Sequence, residues 1–246
     1  MTQLITPEIL NTGIKVLGLT VVTKTLEGPI QTINDIWGIL GGDWLHTKRL
    51  AQQQKYAENI TKKIVSIPEE NLQEPQLSIL GPALEASKYY IEDEEIQDLF
   101  SNLISSSMDK TYNGIVQHSF VEIIKQLTPY DAKLFKSLSS HEPIISLRKI
   151  LPEGDYHNIV DKLFINNDFP NFDSNQISIE NLIRLGLLKI PEDSHFVDSS
   201  LYNRYSPYGN INHDNLNYSP DSIICYKKQL IVTSFGEAFK KVCIKS

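Results

Sequence analysis

Over residues 4–45 apolar positions recur at helical spacing, with Ile5, Ile9, Val16 and Thr20 on one face and Leu10, Ile14, Leu17 and Val21 beside them. Lys15 and two glycines interrupt the pattern, and no run reaches the ~18 apolar residues a spanning helix needs. Gly28-Pro29 breaks it, Pro29 suits the first turn of a new helix through Trp37, and the glycines around residue 41 break it again. These helices are expected to complete a core; contact with a membrane surface or a partner is the second reading. From Trp44 to Ile67 the pattern becomes a long polar helix with a narrow stripe of Leu45, Tyr56, Ile60, Ile64 and Ile67, suited to one packing neighbour. Prolines and acids at 68–75 mark a loop. Pro75 can start the next helix, with Leu77, Leu80, Ala83 and Leu84 as its buried face. Pro82 inside it predicts a kink or a late start near Gly81. The acids "EDEE" at 92–95 open a further helix, at the positive end of its dipole, and Ile96, Leu99, Phe100, Leu103 and Ile104 follow at helical spacing. Residues 118–127 form one more short helix, after which Thr128, Pro129 and Asp131 read as cap, first helical position and capping-box acid.

Beyond 128 the pattern changes. Residues 144–150 and 222–233 read as strands, 177–190 as a helix running into a strand, and Thr233 caps a final amphipathic helix, "SFGEAFKKVCI". Two helices, a two-stranded ribbon and a helix follow the order of a winged-helix module, with Asn-, Asp-, Ser- and Tyr-rich residues 191–221 as an overlong wing tip. The expected class is α+β, mainly α: a helical N-terminal region followed by a winged-helix-like C-terminal module. Its parts are residues 1–67 (apolar leader and polar helix), 68–127 (helical core) and 128–246.

Composition narrows the function. The 246 residues are 41% apolar and 22% charged, enough for a packed core, and the net charge is -7. Residues 1–127 hold 10 Lys and Arg against 16 Asp and Glu, so most of the acidity lies there. Such a chain repels phosphate backbones at long range unless a local basic patch exists. Two cysteines, Cys225 and Cys243, fit a reducing cytosol, Cys243 as a small core residue, and the first residues do not resemble a signal peptide. The chain is therefore expected to be cytoplasmic, with peripheral contact at the inner membrane left to residues 4–45.

No nucleophile elbow, phosphate loop or dinucleotide fingerprint occurs, so a non-enzymatic protein without cofactor or metal is expected. His195, His213, Asp193, Asp198 and Asp214 share the long loop, but without ligand-type histidine spacing. His118 and Glu122 stand one helical turn apart, as a surface pair would, and four consecutive acids at 92–95 splay around a helix instead of converging on a metal. For nucleic acid, the candidate contacts are Arg184, Lys227 and Lys228, a thin footprint. Protein binding is favoured over it.

One resemblance sharpens this. Glu-Pro at 74–75, "GPALEA" at 81–86, the acidic hinge, "LFSNLISSSMD" at 99–109 and "HSFVEIIKQL" at 118–127 resemble the abortive-infection alpha family of bacterial proteins. "NLIRLGLL" and "SFGEAFKKVC" extend the likeness, which covers roughly residues 60–246. The resemblance implies a role in defence against bacteriophage and brings no catalytic residues with it. Its matched positions Pro75, Gly81, Pro82, Glu85, Phe100, Asn102, Ser107, Met108 and Phe120 are of types that pack, cap and turn. Of these, Pro75, Gly81, Pro82, Glu85, Asn102, Ser107 and Met108 are the candidate interaction or family-core positions, with Glu85, Asn102 and Ser107 able to join two helices. The expected partner is a host or phage protein, and a homo-oligomer is left open. The competing readings are a membrane-perturbing effector acting through residues 4–45 and a nucleic-acid-binding regulator.

Overall fold

The computed structural model describes residues 47–152, 155–192, 194–211, 219 and 221–245, with side chains from Lys55 onward. The leader at 4–45 and its two readings lie outside the described residues. The chain divides into a helical unit, made by the residues up to Ala132 together with those from Ala238, and a second unit, Lys133–Glu237.

In the helical unit, α1 (Thr47–Val65), α2 (Leu77–Ser87), α3 (Glu94–Ser107) and α4 (Ser119–Ile124) precede α5 (Pro129–Ser137). The narrow stripe of α1 is buried at Tyr56, Ile60 and Ile64, as its spacing predicts. Its polar flank meets α3 in a ladder with a constant offset: Lys55 to Glu94, Asn59 to Asp98, Lys63 to Asn102. Rungs one helical turn apart with a fixed offset mean that α1 and α3 run in the same direction, in register. Leu99, Phe100, Leu103 and Ile104 bury the apolar face of α3, and Ser101, Asn102, Ser105 and Ser106 are buried with them. This helix is enclosed on its polar side too.

In α2 the late start near Gly81 does not occur, and one residue expected on its buried face is exposed. The helix starts at Leu77, where the carbonyl of Gln76 accepts from the amides of Ile79 and Leu80, and it continues through Pro82. Proline removes one bond, to the carbonyl of exposed Ser78, where water can replace it. Leu77 is 63% exposed instead of buried. By contrast, the start of α5 is as the residues dictate. The Thr128 amide donates to Asp131 Oδ2 at 2.8 Å, and the Asp131 amide to Thr128 Oγ1 at 3.1 Å. At α3 the acids stand in the first turn as Glu94 and Glu95, but Asp93 makes no capping bond through its side chain.

The second unit is built on β1 (His141–Ile150), β2 (Tyr156–Leu163), β3 (Leu188–Lys189), β4 (Asn210–Ile211) and β5 (Ile223–Val232), with α6 (Phe172–Arg184) between β2 and β3. The strand order is β2-β1-β5-β3, antiparallel throughout, and β4 pairs parallel with β5. This corrects the expected two-stranded ribbon. β5 pairs with β3 at two positions and with β1 along nine, from His141↔Ile231 to Lys149↔Ile223. The architecture is α+β with an antiparallel sheet. β2 went unpredicted because it is an edge strand with only Leu163 buried, and two register shifts against β1 bulge it.

Residues 191–221, expected as a loop, contain a 3₁₀ segment at Ser199–Tyr208 that closes one sheet face. Tyr202 and Tyr205 are buried against Ile145, Leu147, Leu163 and Cys225. Tyr202 donates to the carbonyl of Lys228 at 2.8 Å, and Tyr205 to that of Pro143 at 2.7 Å. Burial pushes the Cys225 thiol up to about 11. Thr233 caps α7 (Ser234–Phe239): its Oγ1 accepts from the Gly236 amide at 2.9 Å. A π turn, Lys240–Ile244, continues it.

Gly236 is required there, since an added Cβ would lie 2.2 Å from the carbonyl oxygen of Leu187. Gly236→Ala is therefore expected to destabilise the protein by about 2 kcal/mol, the scale of a backbone shift forced on a packed site. At Gly81 an added Cβ meets nothing within 4 Å, so Gly81→Ala should stabilise by up to about 1 kcal/mol through helix propensity. Thermal unfolding of the two variants should move in opposite directions; movement in the same direction would refute this assignment.

Candidate functional site

The densest polar arrangement lies along α3. Helix periodicity places Asp98, Asn102, Ser105 and Ser106 on one side, and the ladder brings α1 against it. Lys63 donates to Asp98 Oδ1 at 2.6 Å and also to Asn102 Oδ1. Asn102, 2% exposed, sends its amide nitrogen to the carbonyl of Cys243 at 2.8 Å and to Asp98 Oδ2 at 3.2 Å. Ser106 Oγ donates to the carbonyl of Val242 at 2.9 Å. A helix end leaves its last carbonyls without intrahelical donors; here the side chains of α3 supply donors to the C-terminal π turn. Lys245 completes the cluster. Its ammonium donates to Ser105 Oγ at 3.2 Å and lies 4.7 Å from the centre of the Tyr112 ring. Burial holds Lys245 below the usual lysine range, with Asp109 opposing and Lys63 reinforcing the shift.

The C-terminal end of α3 is finished by a residue the sequence reading missed. The Gln73 amide donates to the Met108 carbonyl at 2.9 Å, and its side chain to that of Ser107 at 3.1 Å and to Asn113 Oδ1 at 2.8 Å. No sequence signal marks Gln73, because its partners lie more than thirty residues away. This cluster binds peptide carbonyls by donors held in place by ion pairing and packing. Burial also pushes the Cys243 thiol far above its ordinary range.

The candidate positions sort into two groups. Pro75, Asn102, Ser107 and Met108 are buried. The polar contact that Glu85, Asn102 and Ser107 were able to make between two helices does not form: Glu85 is exposed, Ser107 Oγ donates to Ile104 in its own helix, and of the three side chains Asn102 alone joins elements, which fits the packing role expected of these positions. Glu85 instead shares an outward stripe of α2 and its extension with Ser78, Gly81, Pro82 and Tyr89, following the i, i+3, i+4 spacing. Tyr89 at the end of that stripe is 75% exposed. His118 lies 3.4 Å from Ser78, and Glu122 pairs with Lys125 at 2.9 Å instead of His118.

Arg184, Lys227 and Lys228 do not form a common patch. Adjacent strand residues point to opposite faces, and Lys227 reaches Ser199 Oγ at 3.4 Å while Lys228 pairs with Asp161 at 3.2 Å. Asp161, lowered first by its bond with Lys162 and then by Lys228, already occupies that ammonium. Arg184 donates to Asn181 Oδ1 in its own helix at 2.7 Å. Among the described residues, no group of three or more His, Cys, Asp or Glu side chains could hold a metal, and His213, Asp214 and Asp193 lie outside them. Among the described residues, no helix is long and apolar enough to cross a membrane.

No curated protein and no solved structure matches the chain. The model of one protein family, described as abortive infection alpha, matches residues 48–243, from the ladder helix α1 to the Cys243 carbonyl that Asn102 holds, and the chain belongs to that family.

Proposed function

We propose that this protein serves phage defence by binding a host or phage protein, without catalysing a reaction, and that the outward stripe of α2 makes the contact. The family match carries the defence reading. The stripe supports the binding reading: Gly81, Pro82 and Glu85 are matched positions, yet they face outward and end beside the exposed ring of Tyr89. Aromatic rings that start exposed and finish buried are frequent anchors of protein interfaces. A winged-helix-like use of the second unit fits this role as a binding module.

Plating of a phage panel on cells with and without the protein tests the defence reading, which falls if no phage loses plating efficiency. The double variant Glu85→Lys, Tyr89→Ala tests the surface. Both positions are exposed, so its unfolding midpoint should stay within about 2 °C of the parent. Protection and partner capture should both be lost. Full protection by this variant would remove the α2 stripe from the mechanism while leaving the defence role standing.

A further inference from the structure

Three planar side chains form a row across the sheet of the second unit. The guanidinium of Arg148 on β1 lies 4.3 Å from the ring centre of Tyr156 on β2 and 4.4 Å from that of Tyr226 on β5. Two rings at these distances fix the guanidinium plane before any ligand arrives. Arg148 Nε is buried and makes no hydrogen bond among the described residues. Ser146 Oγ, two residues earlier on the same strand face, is likewise buried and without a partner. Buried donors are satisfied almost everywhere in proteins, so an orphaned guanidinium nitrogen in a rigid clamp marks an acceptor yet to arrive.

The surroundings narrow that acceptor. Asn158 stands directly opposite Arg148 across the β1–β2 pair and is exposed, on the same face as Tyr156 two residues away. Tyr156 is 47% exposed, although one of its faces is against the guanidinium. One preorganised fork for an oxyanion, an aromatic ring with exposed surface and an exposed carboxamide beside it suit the phosphate, base face and base edge of a nucleotide. The geometry points to a nucleotide-binding site at Arg148, Tyr156, Tyr226 and Asn158, which takes one phosphate and its base, either free or within a single strand. Arg184, Lys227 and Lys228 are not counted in it, since their side chains have partners of their own. A net charge of -7 opposes a long polyanion track and leaves room for one phosphate contact.

The test uses the full chain, with adenosine monophosphate followed by saturation-transfer NMR and a fluorescent thymidine decamer followed by anisotropy. Binding of the mononucleotide assigns the site to free nucleotides, and binding of the decamer alone assigns it to a strand. In either case Arg148→Gln should weaken binding by about tenfold or more, and Arg148→Lys should restore it only in part, because an ammonium cannot reproduce the planar fork. Tyr156→Ala and Asn158→Ala alter exposed hairpin positions and should lower affinity without changing the unfolding midpoint. The decamer's affinity should fall with salt at a log–log slope of about -0.7, one phosphate's worth. The proposal is overturned if neither probe binds at millimolar mononucleotide and high micromolar decamer. It is equally overturned if binding is indifferent to Arg148→Gln and Tyr156→Ala, or if a polyglutamate peptide, and not a nucleotide, binds in an Arg148-dependent manner.

Discussion

A chain ending at Glu237 is expected to lose the cooperative unfolding of its helical unit while the sheet of the second unit stays formed. The nine removed residues carry Phe239, Val242, Cys243 and Ile244, all buried. Phe239 meets Phe120 edge to face at 5.3 Å between ring centres. At about 1.5–3 kcal/mol for each of the three large apolar side chains, Phe239, Val242 and Ile244, the loss is roughly 5–9 kcal/mol, comparable to the whole stability of an ordinary domain. Asn102 and Ser106 would also lose the carbonyls they hold. The sheet pairings lie wholly within Lys133–Glu237 and lose nothing directly. Hydrogen exchange separates the two outcomes. Amides of Leu103 and Ile104 in α3 should become unprotected, while those of Cys225 and Lys227 in β5 keep their protection. Continued protection along α3 in the truncated chain would show that the C-terminal turn is an accessory to the core and no part of it.

Asn102→Ala should produce the next largest effect. The substitution strands the Cys243 carbonyl and takes an acceptor from the Lys63 ammonium, both inside the helical unit. Each buried group left unsatisfied costs about 1–3 kcal/mol, more when charged, so a loss of roughly 3 kcal/mol is expected. In a chain of this length that lowers the unfolding midpoint by about 6–12 °C. Ser107→Ala, one turn further on, removes only a bond from Oγ to the Ile104 carbonyl of the same helix and should change stability by about 1 kcal/mol or less. Denaturant titration of the pair measures the contrast; equal losses would mean that Asn102 does not tie α1, α3 and the C-terminal turn together.

What was legible in the sequence was local. Thr128 with Asp131, and Thr233 ahead of the last helix, bond across three residues, and residue types at that spacing are enough to specify them. The α1 stripe was legible because a single apolar face repeats over three turns. β2 was not, since a bulged edge strand with one buried side chain presents no alternation to read. Asn102 stood out only through the family resemblance; its partner Cys243 is 141 residues away, a contact no local pattern encodes. The placing of Lys227 and Lys228 is a further case: the sequence offers them as a thin basic footprint, and the strand turns these neighbours to opposite faces and gives each its own partner.

The chain leaves the helical unit after Ala132 and re-enters it at Ala238. That double crossing makes the second unit an insertion, and it alters what a broken backbone means. A single cut anywhere between Lys133 and Glu237 leaves two fragments, each holding part of the same helical core, one with Asn102 and the other with the carbonyls it binds. Assembly of that core then changes from an event within one chain to one between two. The nicked molecule would stay whole while concentrated, yet its folding would acquire a dependence on dilution that the intact chain does not have.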